Sequence, residues 1–134
     1  SRVLLAVKGV LATEDRVTTY VFDEVDAGVG GAVAESIGRR LKAASMERQI
    51  LCITHLPQIA AFADGHFRVE KIAVDGRTVT RVRPLSPDER VEELARMLAG
   101  AKVTQSARDH ARGLIESAAE VTSTLRQQKQ QPSD

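Results

Sequence analysis

The feature that most constrains this chain is an apolar run, Val17 to Phe22, that ends abruptly in the carboxylates Asp23, Glu24 and Asp26. A glycine-rich turn and then a helical pattern follow. Burying carboxylates beside a strand costs free energy unless something binds them. Open α/β sheets bind ligands at the carboxyl ends of their strands, and Mg²⁺ prefers one or two carboxylates together with water and phosphate oxygens. The stretch therefore predicts a strand with a nucleotide-type site at its carboxyl end.

The composition is that of an ordinary globular domain. The chain has 134 residues, is 43% hydrophobic and 28% charged, and carries a net charge of +1. This is enough for one domain with a core and is unlike a disordered chain, while the near-neutral charge means that any nucleic-acid surface must be a local patch. The single cysteine, Cys52, rules out an internal disulfide and fits a reducing compartment. We find no membrane-spanning run and no signal peptide, and therefore expect no membrane partner.

A strand–helix–strand unit is predicted around the opening stretch. The run Val17 to Phe22 has the composition of a strand buried on both faces of a parallel sheet. An amphipathic helix with a repeat of four follows from about Gly31 to Ala44, its inward residues being Val33, Ile37 and Leu41. Gln49 to Ile53 is a second apolar strand. Because parallel neighbours place their carboxyl ends at one edge, we expect Asp23-Glu24 and Thr54-His55 to converge.

The flanking segments are predicted to be mostly helical. Ser1 to Ala12 is apolar nearly all round, which indicates a buried helix. In the second half of the chain we expect a short helix at 57–63 and then a hairpin at 66–83, with a type I′ turn at Asp75-Gly76 and a bulge near Glu70-Lys71. A helix that starts with a capping box follows at 86–100. The chain ends in a long helix with an alanine-rich seam at 104–128 and a polar tail at 127–134.

The candidate chemical residues each have a structural alternative. Asp23 and Glu24 could orient water on Mg²⁺ and polarise an attacking water, or form a solvated acidic loop. His55 could contact a γ-phosphate or cap the next helix, and for an isolated histidine the cap is favoured. A thiol nucleophile at Cys52 is disfavoured because cysteine inside an apolar strand usually packs as a small hydrophobe. The hairpin arginines could contact nucleic-acid phosphates, but a solvated strand face is favoured because aromatic residues are scarce.

Taken together, several segments resemble the RecN family, bacterial DNA-repair proteins of the SMC-like branch of the ABC ATPases. The resemblance covers nearly the whole chain and is carried by the segments 21–31, 53–60, 67–71 and 90–98. It implies an α/β fold: the C-terminal lobe of an ABC/SMC-type P-loop ATPase head, with parallel strands, flanking helices, a β-hairpin and two C-terminal helices. We expect that lobe to span residues 1–126 and the tail residues 127–134.

The resemblance also implies a role for each site residue, with ATP and Mg²⁺ as cofactors. Asp23 matches the Walker B aspartate that holds Mg²⁺ through water, and Glu24 matches the catalytic glutamate. Asp26 to Gly30, including the nucleotide-side residues Asp26, Gly28 and Gly30, match the D-loop at the head-dimer interface. His55 matches the switch histidine at the γ-phosphate, with both a catalytic and a binding role.

The sequence departs from the family pattern in what it lacks. It contains no Gly-x-x-x-x-Gly-Lys-Ser/Thr loop, no Ser-Gly-Gly signature and no long coiled coil; we expect these upstream of Ser1. The chain is therefore expected to be inactive alone. The implied partners are the N-terminal half of the same head, a second head in an ATP-sandwiched homodimer, and DNA, all in the bacterial cytoplasm at the nucleoid. Two alternatives are a transporter-type ABC head and a non-catalytic DNA-binding or structural module.

Overall fold

The computed structural model of this protein describes residues 17–23, 28 and 30–131. In chain order the elements are β1 (Thr19–Phe22), α1 (Gly31–Ser45), β2 (Gln49–Cys52), α2 (Pro57–Ala60), β3 (Phe67–Val74), β4 (Arg77–Pro84), α3 (Pro87–Ala99) and α4 (Gln105–Gln130). The mixed α/β class predicted from the sequence is confirmed. The helix expected at 1–12, the carboxylates Glu24 and Asp26, and the last three residues lie outside the described residues.

The two short strands at the start form a parallel pair, as predicted. Phe22 is the register partner of Cys52, and α1 covers one face of the pair. The core between them holds buried residues from α1 and α2 with partly buried residues from the strands: Ala34, Ile37, Leu41 and Ile59 against Phe22, Ile50, Cys52 and Leu56. Val33, predicted to face inward, is instead 43% exposed. Ala34 takes its place because a 3.6-residue period fits the stripe 34, 37, 41 and 44 better than a strict repeat of four.

The other face of this sheet is apolar and exposed. Val21 is 64% exposed, Leu51 48% and Ile53 57%. The expectation that the first strand is buried on both faces is therefore wrong for the described part of the chain, in which helix α1 supplies a layer on one side only. The apolar composition that prompted the expectation is present, but no described element covers it.

Strands β3 and β4 form a regular antiparallel hairpin. Its register runs without interruption from Phe67 opposite Pro84 to Val74 opposite Arg77, so the bulge expected near Glu70-Lys71 is wrong. The alternation of apolar and polar residues along these strands is imperfect, and neither face of the hairpin is packed fully into a core. Both faces carry exposed apolar side chains, among them Phe67, Val69, Val74, Val79 and Val82. The turn has φ of 49° at Asp75 and 75° at Gly76, the left-handed pair that a type I′ turn requires.

Helices α3 and α4 pack together into a second core. The predicted capping box is present: the Ser86 hydroxyl accepts from the Glu89 N–H at 3.2 Å, and the Glu89 carboxylate accepts from the Ser86 N–H at 3.1 Å. The alanine stripe of α4 lies against α3 and the residues after α2, bringing together Ala107, Ala111, Ala118, Leu94, Ala95, Ala60, Ala61 and Phe62. Helix α4 continues through Gln130, so the first four residues of the expected tail are helical. None of the described helices is both long and apolar enough to cross a membrane.

Candidate functional site

The candidate site lies where β1 and β2 end side by side. The Ile53 N–H donates to the Phe22 carbonyl at 2.9 Å, so pairing persists to the last residue before Asp23. Asp23 is exposed at the end of β1, and His55 is exposed just beyond the end of β2. The parallel register thus brings to one edge of the sheet two side chains that the sequence separates by about thirty residues, as predicted.

Two glycines of the segment between β1 and α1, Gly28 and Gly30, are among the described residues. Gly28 has φ of 70°, a left-handed conformation in which a side chain would be strained. Gly30 is the N-cap residue of α1, and its carbonyl accepts from the Ala34 N–H at 2.9 Å. No side-chain hydrogen bond from Gly30 caps the helix. Glu24 and Asp26, predicted to complete the site, lie outside the described residues.

The segment that carries His55 is a turn followed by a single turn of helix. The Thr54 hydroxyl accepts from the Leu56 N–H at 3.0 Å, and Pro57 starts α2, where its missing N–H is no loss. The N-cap residue of α2 is therefore Leu56 and not His55, and His55 lies between the end of β2 and this helix.

Sequence reasoning missed the residues that hold α2 in place. Arg90 on α3 donates to the carbonyls of Ala60 and Ala61 at 3.2 and 2.8 Å. The buried Lys42 pairs with Asp64 in the loop after α2. These contacts join residues 22 to 30 positions apart, and no local pattern could have revealed them. The only local signal was a glycine inside an amphipathic helix, Gly38, which lies against Phe62.

Three of the five basic residues of the hairpin are paired with acids. Glu70 pairs with Arg68 at 3.2 Å and with Arg81 at 2.7 Å, and Arg83 pairs with Glu89. The hydrogen bond from Arg81 is the largest influence holding the pKa of the Glu70 carboxyl below its usual value. Such pairing leaves less free charge for phosphates and favours the interpretation of this face as a solvated, ion-paired surface.

His66, the residue before β3, is half-buried, and its Nδ1 atom has no hydrogen-bond partner among the described residues. Burial lowers the pKa of the imidazole below its ordinary value, the charge of Arg90 lowers it further, and Glu93 opposes the shift. The folded state therefore binds a proton at His66 less readily than the unfolded state does. By linkage, the stability contributed by neutral His66 is present above pH 6.5 and is lost as the pH falls below it towards the folded-state pKa.

We expect the free energy of unfolding to decrease when the pH is lowered from 7.5 to 5.5. The His66→Gln variant should show a smaller decrease. The check is urea unfolding at both pH values. Lowering the pH over this range leaves Glu70 and Glu89 ionised, because the pKa of each is held below the ordinary 4.5 by hydrogen bonds from Arg81 and Arg83 respectively. His110→Gln, at an exposed position of α4, is the matched control. An equal pH dependence in the wild type and in His66→Gln would contradict the assignment.

Comparison with known proteins finds DNA repair proteins that are about half identical to this chain. DNA repair protein RecN from Bacillus subtilis is 48% identical over 124 residues, that from Streptomyces coelicolor 52% over 118, and that from Deinococcus radiodurans 51% over 115. These alignments cover 92%, 88% and 86% of this chain, which spans only 20–22% of the length of these relatives. No family model matches.

A solved structure has a similar fold. It comes from work on ATP-driven dimerization and DNA-stimulated activation of SMC ATPases. It is 26% identical with a TM-score of 0.57, and the match covers 75% of this chain and 62% of the other. The similarity extends beyond the short strand pair, since a match of that coverage includes most of the described elements.

Proposed function

We propose that this chain, which aligns with RecN proteins over 86–92% of its length, forms the C-terminal lobe of an ATP-hydrolysing SMC-type head of the RecN kind. The observation that carries the proposal is the parallel pairing of β1 with β2, which places Asp23 and His55 at one edge. A carboxylate and an imidazole at the carboxyl ends of neighbouring parallel strands are a suitable donor set for a hydrated metal ion and a phosphate.

Each site residue has one task in this proposal. Asp23 holds Mg²⁺ through an intervening water, and Glu24 orients the attacking water and accepts its proton. His55 donates a hydrogen bond to the γ-phosphate. Asp26, Gly28 and Gly30 form the turn that faces a second head across the bound nucleotide. When bound, Mg²⁺ supplies neutralisation of the phosphate charge, and the chain's own residues supply position and proton acceptance.

The proposed first partner is the N-terminal half of the same head, which brings the phosphate-binding loop. The exposed apolar face formed by Val21, Leu51 and Ile53 supports this, because a surface of that kind marks a contact with another element. ATP is then sandwiched between two such heads, and hydrolysis opens them. The function coupled to this cycle is the holding or bridging of DNA during double-strand-break repair. The proposed location is the bacterial cytoplasm, at the nucleoid.

Two other functions are less well supported. A transporter-type ABC head would need a coupling surface for a membrane partner, and the relatives found are DNA repair proteins. A non-catalytic DNA-binding module would rely on the hairpin arginines, of which Arg68, Arg81 and Arg83 are paired with acids.

The proposal is tested by reconstitution. The chain alone is expected to release no phosphate from ATP, because no Gly-x-x-x-x-Gly-Lys-Ser/Thr loop is present in it. Mixing it with the N-terminal half of the head should restore nucleotide binding and Mg²⁺-dependent phosphate release. The control is the same mixture with the loop lysine of the N-terminal half replaced by alanine. Turnover by the chain alone, or a mixture that forms a complex but neither binds nor hydrolyses ATP, would refute the proposal.

A further inference from the structure

The helix that follows His55 cannot hold its own position. Helix α2 is four residues long, whereas isolated helices shorter than about 12 residues are marginal in water. Its hydrogen bonds close one turn, from the Ala60 and Ala61 N–H groups to the Leu56 and Pro57 carbonyls. The position of the turn, and with it that of His55, must therefore be fixed by contacts from other elements.

The described contacts come from two sides. On the α1 side, the Phe62 ring fills the space beside Gly38, where an added Cβ would lie 2.4 Å from a ring atom. On the α3 side, the Nη2 atom of Arg90 donates to the carbonyls of Ala60 and Ala61 at 3.2 and 2.8 Å. Among the hydrogen bonds that the described residues make, those from Arg90 are the ones from a charged side chain to the carbonyl end of α2.

Arg90 belongs to the N-terminal part of α3, which several contacts hold in place. It lies in the first turns of α3, just after the capping box of Ser86 and Glu89. Glu89 also pairs with Arg83 of β4, and Leu94, one turn further along α3, is completely buried. Because α3 is fixed in this way, the guanidinium of Arg90 can hold the carbonyls that it contacts at a fixed position relative to α3.

We propose that Arg90 is a positioning residue for the histidine segment. Its guanidinium clamps the last carbonyls of α2 to α3, so that His55, two residues before α2, is kept at the end of β2 beside Asp23. Arginine suits this task because its planar group presents several donors in a fixed arrangement. The consequence for ATP hydrolysis rests on the proposed function, whereas the clamp itself does not.

The clamp is tested by hydrogen exchange on the 134-residue chain. In Arg90→Met, backbone amides 59–63 should exchange about tenfold faster than in the wild type, because charged hydrogen bonds to this turn are lost. Amides in the middle of α4 should keep their rates. Arg126 is an exposed arginine of α4 that lines the same surface cleft as Arg90. The control variant Arg126→Met should leave the exchange rates of both regions unchanged. Arg90→Lys should restore part of the protection. Unchanged exchange at 59–63 in Arg90→Met would overturn the proposal.

The catalytic consequence is tested in the head assembled with its N-terminal half. Arg90→Met should lower kcat about 10- to 100-fold, as expected when a catalytic group is misplaced. The KM for ATP should change much less than kcat, because the loop that cradles the phosphates is not on this chain and His55 supplies only one contact to the γ-phosphate. Leu98→Ala, a truncation further along α3 that also lowers stability, should retain kcat below its melting temperature. Equal losses in kcat for Arg90→Met and Leu98→Ala would reduce Arg90 to a structural role and overturn the proposal.

The two levels can fail separately. If the assembled wild-type head does not hydrolyse ATP, the proposed function fails while the exchange result still decides the clamp. If the wild-type head is active and Arg90→Met is equally active, the proposed function stands and the positioning role is refuted.

Discussion

Replacing Glu24 by Gln is expected to reduce ATP turnover in the assembled head by about 10²- to 10⁴-fold, the usual contribution of a general base. Glutamine keeps the size and the hydrogen-bonding reach of the side chain but cannot accept the proton of the attacking water. Nucleotide binding depends on other groups, so ATP should remain bound and head pairs should accumulate. Phosphate release measures the first effect, and size-exclusion chromatography with ATP and Mg²⁺ measures the second.

The matched control for this experiment is Glu116→Gln. Glu116 is an exposed glutamate on α4, and the same chemical change there should leave both turnover and head association unaltered. Asp23→Asn separates the two acids, because it should weaken Mg²⁺-dependent nucleotide binding itself. If Glu24→Gln hydrolyses ATP like the wild type, the chain does not work as proposed, and a binding module becomes the better account.

The second large effect is expected at Gly38, where alanine should destabilise the fold although it usually favours a helix. A Cβ at this position would lie 2.4 and 2.7 Å from ring atoms of Phe62 and 3.2 Å from the Gln58 carbonyl oxygen. Phe62 is only 8% exposed and belongs to the core that α3 and α4 form, so moving its ring would disturb packed neighbours. Overpacking costs about 1–3 kcal/mol and helix propensity returns about 1 kcal/mol. We therefore expect a net loss of up to about 2 kcal/mol in the free energy of unfolding.

Gly113→Ala provides a control with the opposite sign. Gly113 lies within α4 and is exposed, and nothing stands within 4 Å of an added Cβ. Alanine there should stabilise the protein by about 0.5–1 kcal/mol through helix propensity alone. Urea unfolding of the two variants beside the wild type gives both values. A gain in stability from Gly38→Ala would show that α1 and α2 can separate without cost, and would contradict the close packing described here.

Much of the backbone could be predicted because its determinants are local. The capping box at Ser86 and Glu89 and the turn at Asp75-Gly76 each depend on residues within a few positions, and both were predicted correctly. The juxtaposition of Asp23 and His55 also followed from the sequence, since a short strand–helix–strand connection leaves little choice but parallel pairing. The chemical roles at that edge came from the family resemblance and remain proposals.

The errors concern burial, which local sequence does not determine. The apolar composition of β1 predicted cover on both faces, yet Val21 is exposed, since the described residues pack against one face of the strand pair only. The irregular pattern in β3 predicted a bulge, whereas both faces of the hairpin are partly in solvent and require no strict alternation. The Arg90 clamp was missed for a related reason, since it depends on how α3 docks and not on any motif.

The open edges of the short parallel sheet affect how the isolated chain can be handled. Within the described residues β1 pairs only with β2, so each strand has an outer row of backbone N–H and C=O groups without a strand partner, next to the exposed Val21, Leu51 and Ile53. An unpaired strand edge is a template for pairing with another chain, and exposed apolar side chains beside it favour association. The lobe therefore carries an aggregation hazard until another chain segment completes its sheet, which makes co-expression with the rest of the head the safer route to a monodisperse sample.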